Sequence, residues 1–238
     1  SGRRAHTGHR EPIAVLPGTQ NATTTPKMMN TLINRRRSLR LVASAALIAV
    51  PAMHLRAATH SGPRRPTPAQ TEGPFYPDKL PADSDADLLA NGNLRYGKGQ
   101  PAWVEGTLAD ADGRAIRGAS IEIWQCDQDG HYHHPRDGGQ ADPAFQGFGR
   151  VTVDAEGRWR FRTLRPVAYS GRAPHIHAKI RIGGRELLTT QLYAQDDPDN
   201  PRDGLWRRLS ADDRAAITSP YVAGSDGLTA RYALVIAA

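Results

Sequence analysis

Cysteine is almost missing from this chain: Cys126 is the only one in 238 residues. No intramolecular disulfide can form, and no cysteine cluster can bind a metal. Cys126 is expected to be a small buried hydrophobe on a strand. Long apolar runs are also missing, since the longest, Leu41 to Met53, has thirteen residues, short of the ~20 that a spanning helix needs. Acidic residues are scarce in one place only. Residues 1 to 58 carry nine Lys/Arg and one acid, Glu11, leaving 22 Lys/Arg against 23 Asp/Glu in residues 59 to 238. The formal charge of +7 and the pI near 9.9 therefore belong to the N-terminal part. A near-neutral remainder excludes the nucleic-acid partner that the whole-chain charge would suggest.

The basic N-terminal part has a recognisable order. Arg35-Arg36-Arg37-Ser38-Leu39-Arg40 precedes the apolar run, which ends near the small residues Ala57-Ala58. Charged, apolar and small residues in that sequence mark an export signal. The consecutive arginines resemble a twin-arginine signal, which implies export of a folded protein to the periplasm or beyond, with no stable membrane insertion after processing. Residues 1 to 27 show no periodicity and are expected to be a disordered extension. The organisation expected is a leader over 1–58, a Pro-rich linker over 59–70 and one domain over 71–238, long enough for a sizeable core.

Helical periodicity is nearly absent from that domain, whereas short alternating runs separated by turn signals are frequent. Strands are expected at Trp103 to Leu108, Ser120 to Gln125, Gly149 to Val153, Arg158 to Thr163, His175 to Ile182, Glu186 to Tyr193 and Ala230 to Ile236. Asp112-Gly113, Glu156-Gly157 and Gly183-Gly184 supply positive-φ residues for tight connections. The fold class expected is all-β, a β-sandwich core with long loops carrying the functional site. One short helix is expected near Ser210 to Ile217, where Ser210 and Asp213 have capping-box spacing.

Six histidines lie beyond residue 58, and five fall in two clusters: His131, His133 and His134 around Tyr132, and His175 with His177. On a strand, residues i and i+2 share a face, so His175 and His177 can aim two imidazoles at one point while Ile176 packs behind. A pair of satisfied surface histidines fits the same spacing. No carboxylate stands beside them to complete an Fe(II) site, and one cysteine cannot make a thiolate site. Tyrosine is the remaining anionic donor. Tyr132 follows the turn Asp129-Gly130, and Tyr169 lies six residues before His175. Two phenolates and two imidazoles favour Fe(III) over Fe(II) or Zn(II), although a lone tyrosine is more often a packed core aromatic.

A set of short segments in fixed order resembles the intradiol ring-cleavage dioxygenases, the family that includes protocatechuate 3,4-dioxygenase and catechol 1,2-dioxygenase. The segments are Thr71-Glu72-Gly73-Pro74-Phe75-Tyr76-Pro77, Glu122-Ile123-Trp124-Gln125, Gly130-His131-Tyr132, Arg162-Thr163-Leu164-Arg165-Pro166, Arg172-Ala173-Pro174-His175-Ile176-His177 and Thr189-Thr190-Gln191-Leu192-Tyr193. The resemblance implies Fe(III) held by Tyr132, Tyr169, His175 and His177, with Tyr169 the ligand that substrate displaces. It implies catalytic roles for Arg172 and Gln191, and a substrate-lining arm made by Thr71, Gly73, Pro74 and Phe75. The substrates implied are a small aromatic diol and O2, and the product a cis,cis-muconate-type diacid. The chain is most similar to short secreted members, with only five residues between Tyr169 and His175. The arm and both ligand pairs lie on one chain, so a monomer and a homo-oligomer both fit.

Two other classes share some of these features. A non-catalytic transthyretin-like sandwich would have the same Gly and Asp-Gly turns but no need of His175, His177 and Tyr132. A zinc or copper enzyme would join His131, His133 or His134 to His175 and His177.

Overall fold

The computed structural model of the chain describes residues 63–195 and 197–237. The leader, the arginine run and the apolar run expected before residue 59 lie outside the described residues. The strands are β1 (Ala90–Asn91), β2 (Leu94–Arg95), β3 (Pro101–Asp110), β4 (Ser120–Trp124), β5 (Phe148–Thr152), β6 (Arg158–Leu164), β7 (His175–Ile182), β8 (Arg185–Ala194), β9 (Thr218–Ser219), β10 (Val222–Gly224) and β11 (Gly227–Ile236). Two helices, α1 (Gly204–Arg207) and α2 (Ala211–Ala216), sit between β8 and β9. β1 and β2 form a small hairpin, β10-β11-β3-β6 a four-stranded sheet and β5-β4-β7-β8-β9 a five-stranded sheet. The expected sandwich is therefore present. The glycines expected to turn the chain do so, with φ of 84° at Gly113, 78° at Gly157 and 82° at Gly184.

Alternation decides which face of each strand enters the sandwich. On β7, Ile176, Ala178 and Ile180 join Ile121 and Ile123 of β4, Val104 and Leu108 of β3 and Phe161 of β6 in one core cluster. Each large apolar side chain removed from water there contributes ~1.5–3 kcal/mol. The other face of β7 carries His175, His177 and Lys179, which are also buried. Something must therefore cover the outer face of the five-stranded sheet.

The cover is the segment before β1. Gln70 N–H donates to the Thr189 carbonyl at 2.9 Å, Thr190 Oγ1 to the Pro68 carbonyl at 2.8 Å and Gln191 Nε2 to the Thr71 carbonyl at 3.0 Å. Thr67 exchanges two bonds with Val235 on β11. The described part of the Pro-rich stretch is thus tied to strands of both sheets.

Most expected strands match within two residues, but the helical content was underestimated. α2 begins where expected, with Ser210 Oγ accepting from Asp213 N–H at 3.1 Å. α1 is additional, and its four residues are too few to give periodicity in sequence. Cys126 is buried but lies just beyond the end of β4 rather than on it. Among the described residues no helix is long and apolar enough to cross a membrane.

Candidate metal centre

The strand register assembles the centre. His177 on β7 is paired with Trp124 on β4 and Gln191 on β8, and His175 with Tyr193 on β8. Cross-strand partners share a face, so Trp124, His177 and Gln191 form one row and His175 and Tyr193 the next. The Trp124 indole stacks on the His177 ring at 4.8 Å and 10°. The two imidazoles meet with Nε2 atoms 3.2 Å apart. His175 Nδ1 lies 2.6 Å from the Ala173 carbonyl. A carbonyl only accepts, so Nδ1 carries the proton and Nε2 keeps its lone pair.

Loops bring the tyrosines to the same place. After β4, Asp127 Oδ1 accepts from the N–H groups of Asp129 and His131 at 2.9 and 3.0 Å, and Gly130 turns with φ 88°. This short turn returns the chain so that Tyr132 lies against the sheet, buried, with its N–H bonded to Asp137 Oδ2 at 2.6 Å. Tyr169 arrives through a tight reversal. Ser170 and Gly171 have φ of 45° and 75°, and Arg172 N–H donates to the Tyr169 carbonyl at 2.7 Å. The five residues between Tyr169 and His175 are thus spent on one turn. The Tyr132 ring lies 5.0 Å from that of Tyr169 and 6.1 Å from that of His177, and Tyr169 lies 5.4 Å from His175.

Burial keeps these four groups neutral. It pushes the Tyr132 hydroxyl well above the usual phenol range, aided by the neighbouring Tyr169, and raises Tyr169 as well. It lowers His175 to about 4, with Arg172 adding repulsion, and lowers His177 well below the ordinary imidazole value, with repulsion from His175 and Arg172. Neutral imidazoles offer lone pairs, whereas buried phenols ionise only beside a strong positive charge. The Tyr132 hydroxyl is buried without a hydrogen-bond partner, and two facing Nε2 atoms cannot both be satisfied by each other without a proton between them. A multivalent cation accepting all four donors resolves both deficits, so the residues fit a metal of hard, anionic preference.

Arg172 stands beside this cluster in a fixed pose. Its Nε donates to Asp203 Oδ2 at 2.7 Å, and its Nη2 to Gln191 Oε1 at 2.5 Å and to the Tyr193 hydroxyl at 3.1 Å. Asp203 is fully buried and also accepts from the N–H groups of Ala173, Leu205 and Trp206 at 2.9, 2.8 and 3.0 Å. Burial alone would raise its carboxyl, yet these donors and the guanidinium hold it below the ordinary carboxylate value. The arginine is therefore both ion-paired and at the site.

The arm lies over the outer face of the five-stranded sheet. Thr71 Oγ1 accepts from Gly73 N–H at 3.2 Å, and Glu72 pairs with the buried Lys179. Gly73 has φ 74°, and a Cβ there would stand 3.3 Å from His177 Cε1. A side chain would press on that imidazole. Phe75 stacks on Tyr132 at 4.7 Å and 23°, while Pro74, which precedes it in the chain, is exposed. Tyr76, which the sequence did not single out, donates to the buried Glu122 at 2.7 Å.

The structure gives no support to the zinc or copper alternative. His133 Nε2 is taken by the carbonyls of Asp142 and Phe145 at 3.1 and 2.5 Å. His134 Nδ1 accepts from Arg136 N–H at 3.1 Å, and His131 lies 3.5 Å from Asp137. Among the described residues no three His, Cys, Asp or Glu side chains gather as a metal cluster. Asp203 was the residue missed. Its one sequence signal is an aspartate before Gly204-Leu205-Trp206, which marks a helix N-cap but does not show that the cap faces Arg172.

A family model described as Dioxygenase matches residues 71–236. The chain is 32% identical over 151 residues to a hydroxyquinol 1,2-dioxygenase of Corynebacterium glutamicum, covering 56% of this chain and 47% of that protein. It is 34% identical over 163 residues to the protocatechuate 3,4-dioxygenase beta chain of Burkholderia cepacia, covering 60% and 68%. The chain spans about half the length of the first of these relatives. Among solved structures, the dioxygenase domain of a dioxygenase carbohydrate-binding protein fusion from Streptomyces sp. SirexAA-E superposes with a TM-score of 0.58 at 28% identity, covering 73% of this chain and 99% of that one.

Proposed function

Since the chain belongs to the intradiol ring-cleavage dioxygenase family, we propose that it is a non-haem Fe(III) enzyme that opens a catechol-type ring with O2 to a cis,cis-muconate-type diacid. The observation that carries this is the convergence of Tyr169 with the buried Tyr132, His175 and His177 in one cluster, with no carboxylate or thiolate ligand among them. Bound there, Fe(III) would supply the positive charge that keeps the phenols ionised and chelates the two substrate hydroxyls.

The chain's own groups have separate tasks. His175, with its Nδ1 proton held by the Ala173 carbonyl, presents an unprotonated Nε2. Tyr132 is buried and stacked under Phe75, which suits a permanent ligand. Tyr169 is only partly buried and sits on a single turn, which suits a phenol that leaves and takes a substrate proton on its Oη. Arg172, locked by Asp203, Gln191 and Tyr193, offers a preorganised positive charge where negative charge develops on the substrate oxygens. Gln191 acts by holding Arg172 and by anchoring the arm through the Thr71 carbonyl. Thr71, Gly73, Pro74 and Phe75 border the substrate on that side. The bond between the two hydroxyl-bearing carbons breaks and both oxygen atoms enter the product; the ring supplies the electrons, so no external reductant is required.

Purified protein is expected to hold about one iron per chain, to absorb broadly in the visible from tyrosinate-to-iron charge transfer, and to convert a catechol to a ring-opened diacid. Stoichiometric zinc with no visible band would remove the proposal. Export through the arginine run completes the proposed setting, with the metal-loaded domain working outside the cytoplasm.

A further inference from the structure

Backbone hydrogen bonds root the arm to the sheets as far as Gln70, and the Thr71 carbonyl accepts from Gln191. Between Glu72 and Pro77, among the described residues, no backbone bond joins the arm to either sheet. Side chains hold that stretch instead. Glu72 pairs with Lys179, and Lys179 Nζ also stands 3.9 Å from the centre of the Tyr76 ring. The Tyr76 hydroxyl donates to Glu122 Oε2 at 2.7 Å, and its ring meets Trp124 edge-on at 5.0 Å. One ammonium therefore grips the arm at both ends of Gly73-Pro74-Phe75. That bridge is the part that lies on the metal cluster. A Cβ on Gly73 would stand 3.3 Å from His177 Cε1, and Phe75 stacks on Tyr132. Lys179 follows His177 by two residues on β7, so one strand face carries both. Its side chain keeps only 3% exposure, and a buried ammonium is costly unless it is paired. Glu186 stands farther off, at 3.5 Å, and Glu122, opposite Lys179 in register, is taken by Tyr76 and by Arg150 Nε at 2.9 Å. The arm thus brings the counter-charge and the aromatic face that this ammonium needs.

We propose that Lys179 is a positioning residue that latches the arm over the metal cluster, through Glu72 on one side of the bridge and Tyr76 on the other. It touches neither substrate nor metal. Its task is to fix the wall that Gly73, Pro74 and Phe75 present to the substrate. Because the root of the arm is bonded separately, the stretch beyond Thr71 parts from the sheet when the latch is broken while residues 67–71 stay in place. The effect on substrate rests on the ring-cleavage reading above, whereas the holding of the arm does not.

The test uses Lys179→Met, which keeps an unbranched side chain against Tyr76 but removes the charge, together with Glu72→Gln and the double variant. Glu72 is partly exposed, so its variant serves if Lys179→Met fails to fold. Chymotrypsin can cut after Phe75 only once that ring has left Tyr132, so cleavage of the iron-free chain at this bond reports the open arm. Losing a hydrogen bond between charged groups shifts such an equilibrium by roughly 10- to 100-fold. Both single variants should be cut faster by that factor, and the double variant no faster than either. On iron-loaded protein with catechol, each should raise KM by about tenfold, with kcat and iron content near the wild type. Glu186→Gln, which alters the farther carboxylate and neither arm contact, should leave the cleavage rate unchanged. Wild-type cleavage in Glu72→Gln, a lower Tm with cleavage and KM unmoved, or additive effects in the double variant would overturn the latch. Equal release of the arm by Glu186→Gln would show that Lys179 needs only local charge balance, which also overturns it. Failure of the wild type to open any catechol ring would instead overturn the ring-cleavage reading, and the cleavage rates would still decide the latch.

Discussion

Arg172 and Asp203 are predicted to act as one unit, measurable as a coupling energy and as a loss of turnover. Asp203 is fully buried, and the Arg172 side chain keeps 21% exposure. Removing one member of a buried, hydrogen-bonded pair costs about 3–5 kcal/mol. Asp203→Ala would also leave the N–H groups of Ala173, Leu205 and Trp206 without their acceptor, adding about 1 kcal/mol for the lost cap. At ~2–4 °C per kcal/mol for a domain of this size, Tm should fall by roughly 8–24 °C. Arg172→Ala should cost less, because the remaining carboxylate keeps its three backbone donors. The double variant should be less damaged than the sum of the singles by ~2 kcal/mol. In turnover, Arg172→Ala should keep iron and colour, still form a coloured catechol complex, and lose ~100- to 1000-fold in rate. Asp203→Asn keeps an oxygen for the helix cap but frees the guanidinium, so it should show the same pattern more weakly. Denaturant melts of the four proteins, iron analysis and oxygen uptake supply the readouts. Additive stabilities within ~0.5 kcal/mol, or near wild-type turnover in Arg172→Ala, would refute the coupling.

The two tyrosines should behave unequally: Tyr132→Phe should lose most of the iron, whereas Tyr169→Phe should retain it with altered colour and slow turnover, and equal iron loss in both would contradict the assignment. Acidification should weaken the iron-free protein in a defined window. The unfolded histidines take up protons near pH 6.5, but burial holds folded His175 down to about 4 and His177 well below the ordinary imidazole value. Stability is therefore fully present above about pH 6.5 and is lost as pH falls towards 4. Asp203, held below the ordinary carboxylate value, adds a further loss beneath that range. Denaturant midpoints that stay level between pH 7 and 4 would exclude this. Replacing Arg35, Arg36 and Arg37 with lysines should leave precursor in the cytoplasm, as cell fractionation would show; unchanged export would remove the twin-arginine proposal.

Much of the sandwich was legible because strand alternation is local. The placement of Ile176, Ala178 and Ile180 in the core, opposite His175 and His177, follows from the period of two and needs no knowledge of neighbouring strands. The same locality made His175-Ile176-His177 readable as half a site and Ser210 readable as a helix cap. The two-residue strands β1, β2 and β9 and the four-residue helix α1 were not legible, since such elements are too short to carry a period and exist through contacts made elsewhere in the chain.

The sequence by itself determined the donor types, the two faces of β7, the turn glycines and, through ordered motifs, the family. Only the tertiary structure decided what surrounds those donors. Strand register, set by long-range pairing, put Trp124 and Gln191 on either side of His177 and Tyr193 beside His175. The packing of α1 delivered Asp203 to Arg172 across thirty-one positions of sequence, and the carbonyls of Asp85, distant in sequence, and Phe148, local, fixed the Gln146 amide. The physical reason is the range of the interactions. Side-chain period is fixed by each strand's own geometry, whereas burial, hydrogen-bond partnership and the resulting shifts in proton affinity depend on which segments meet once the chain has folded.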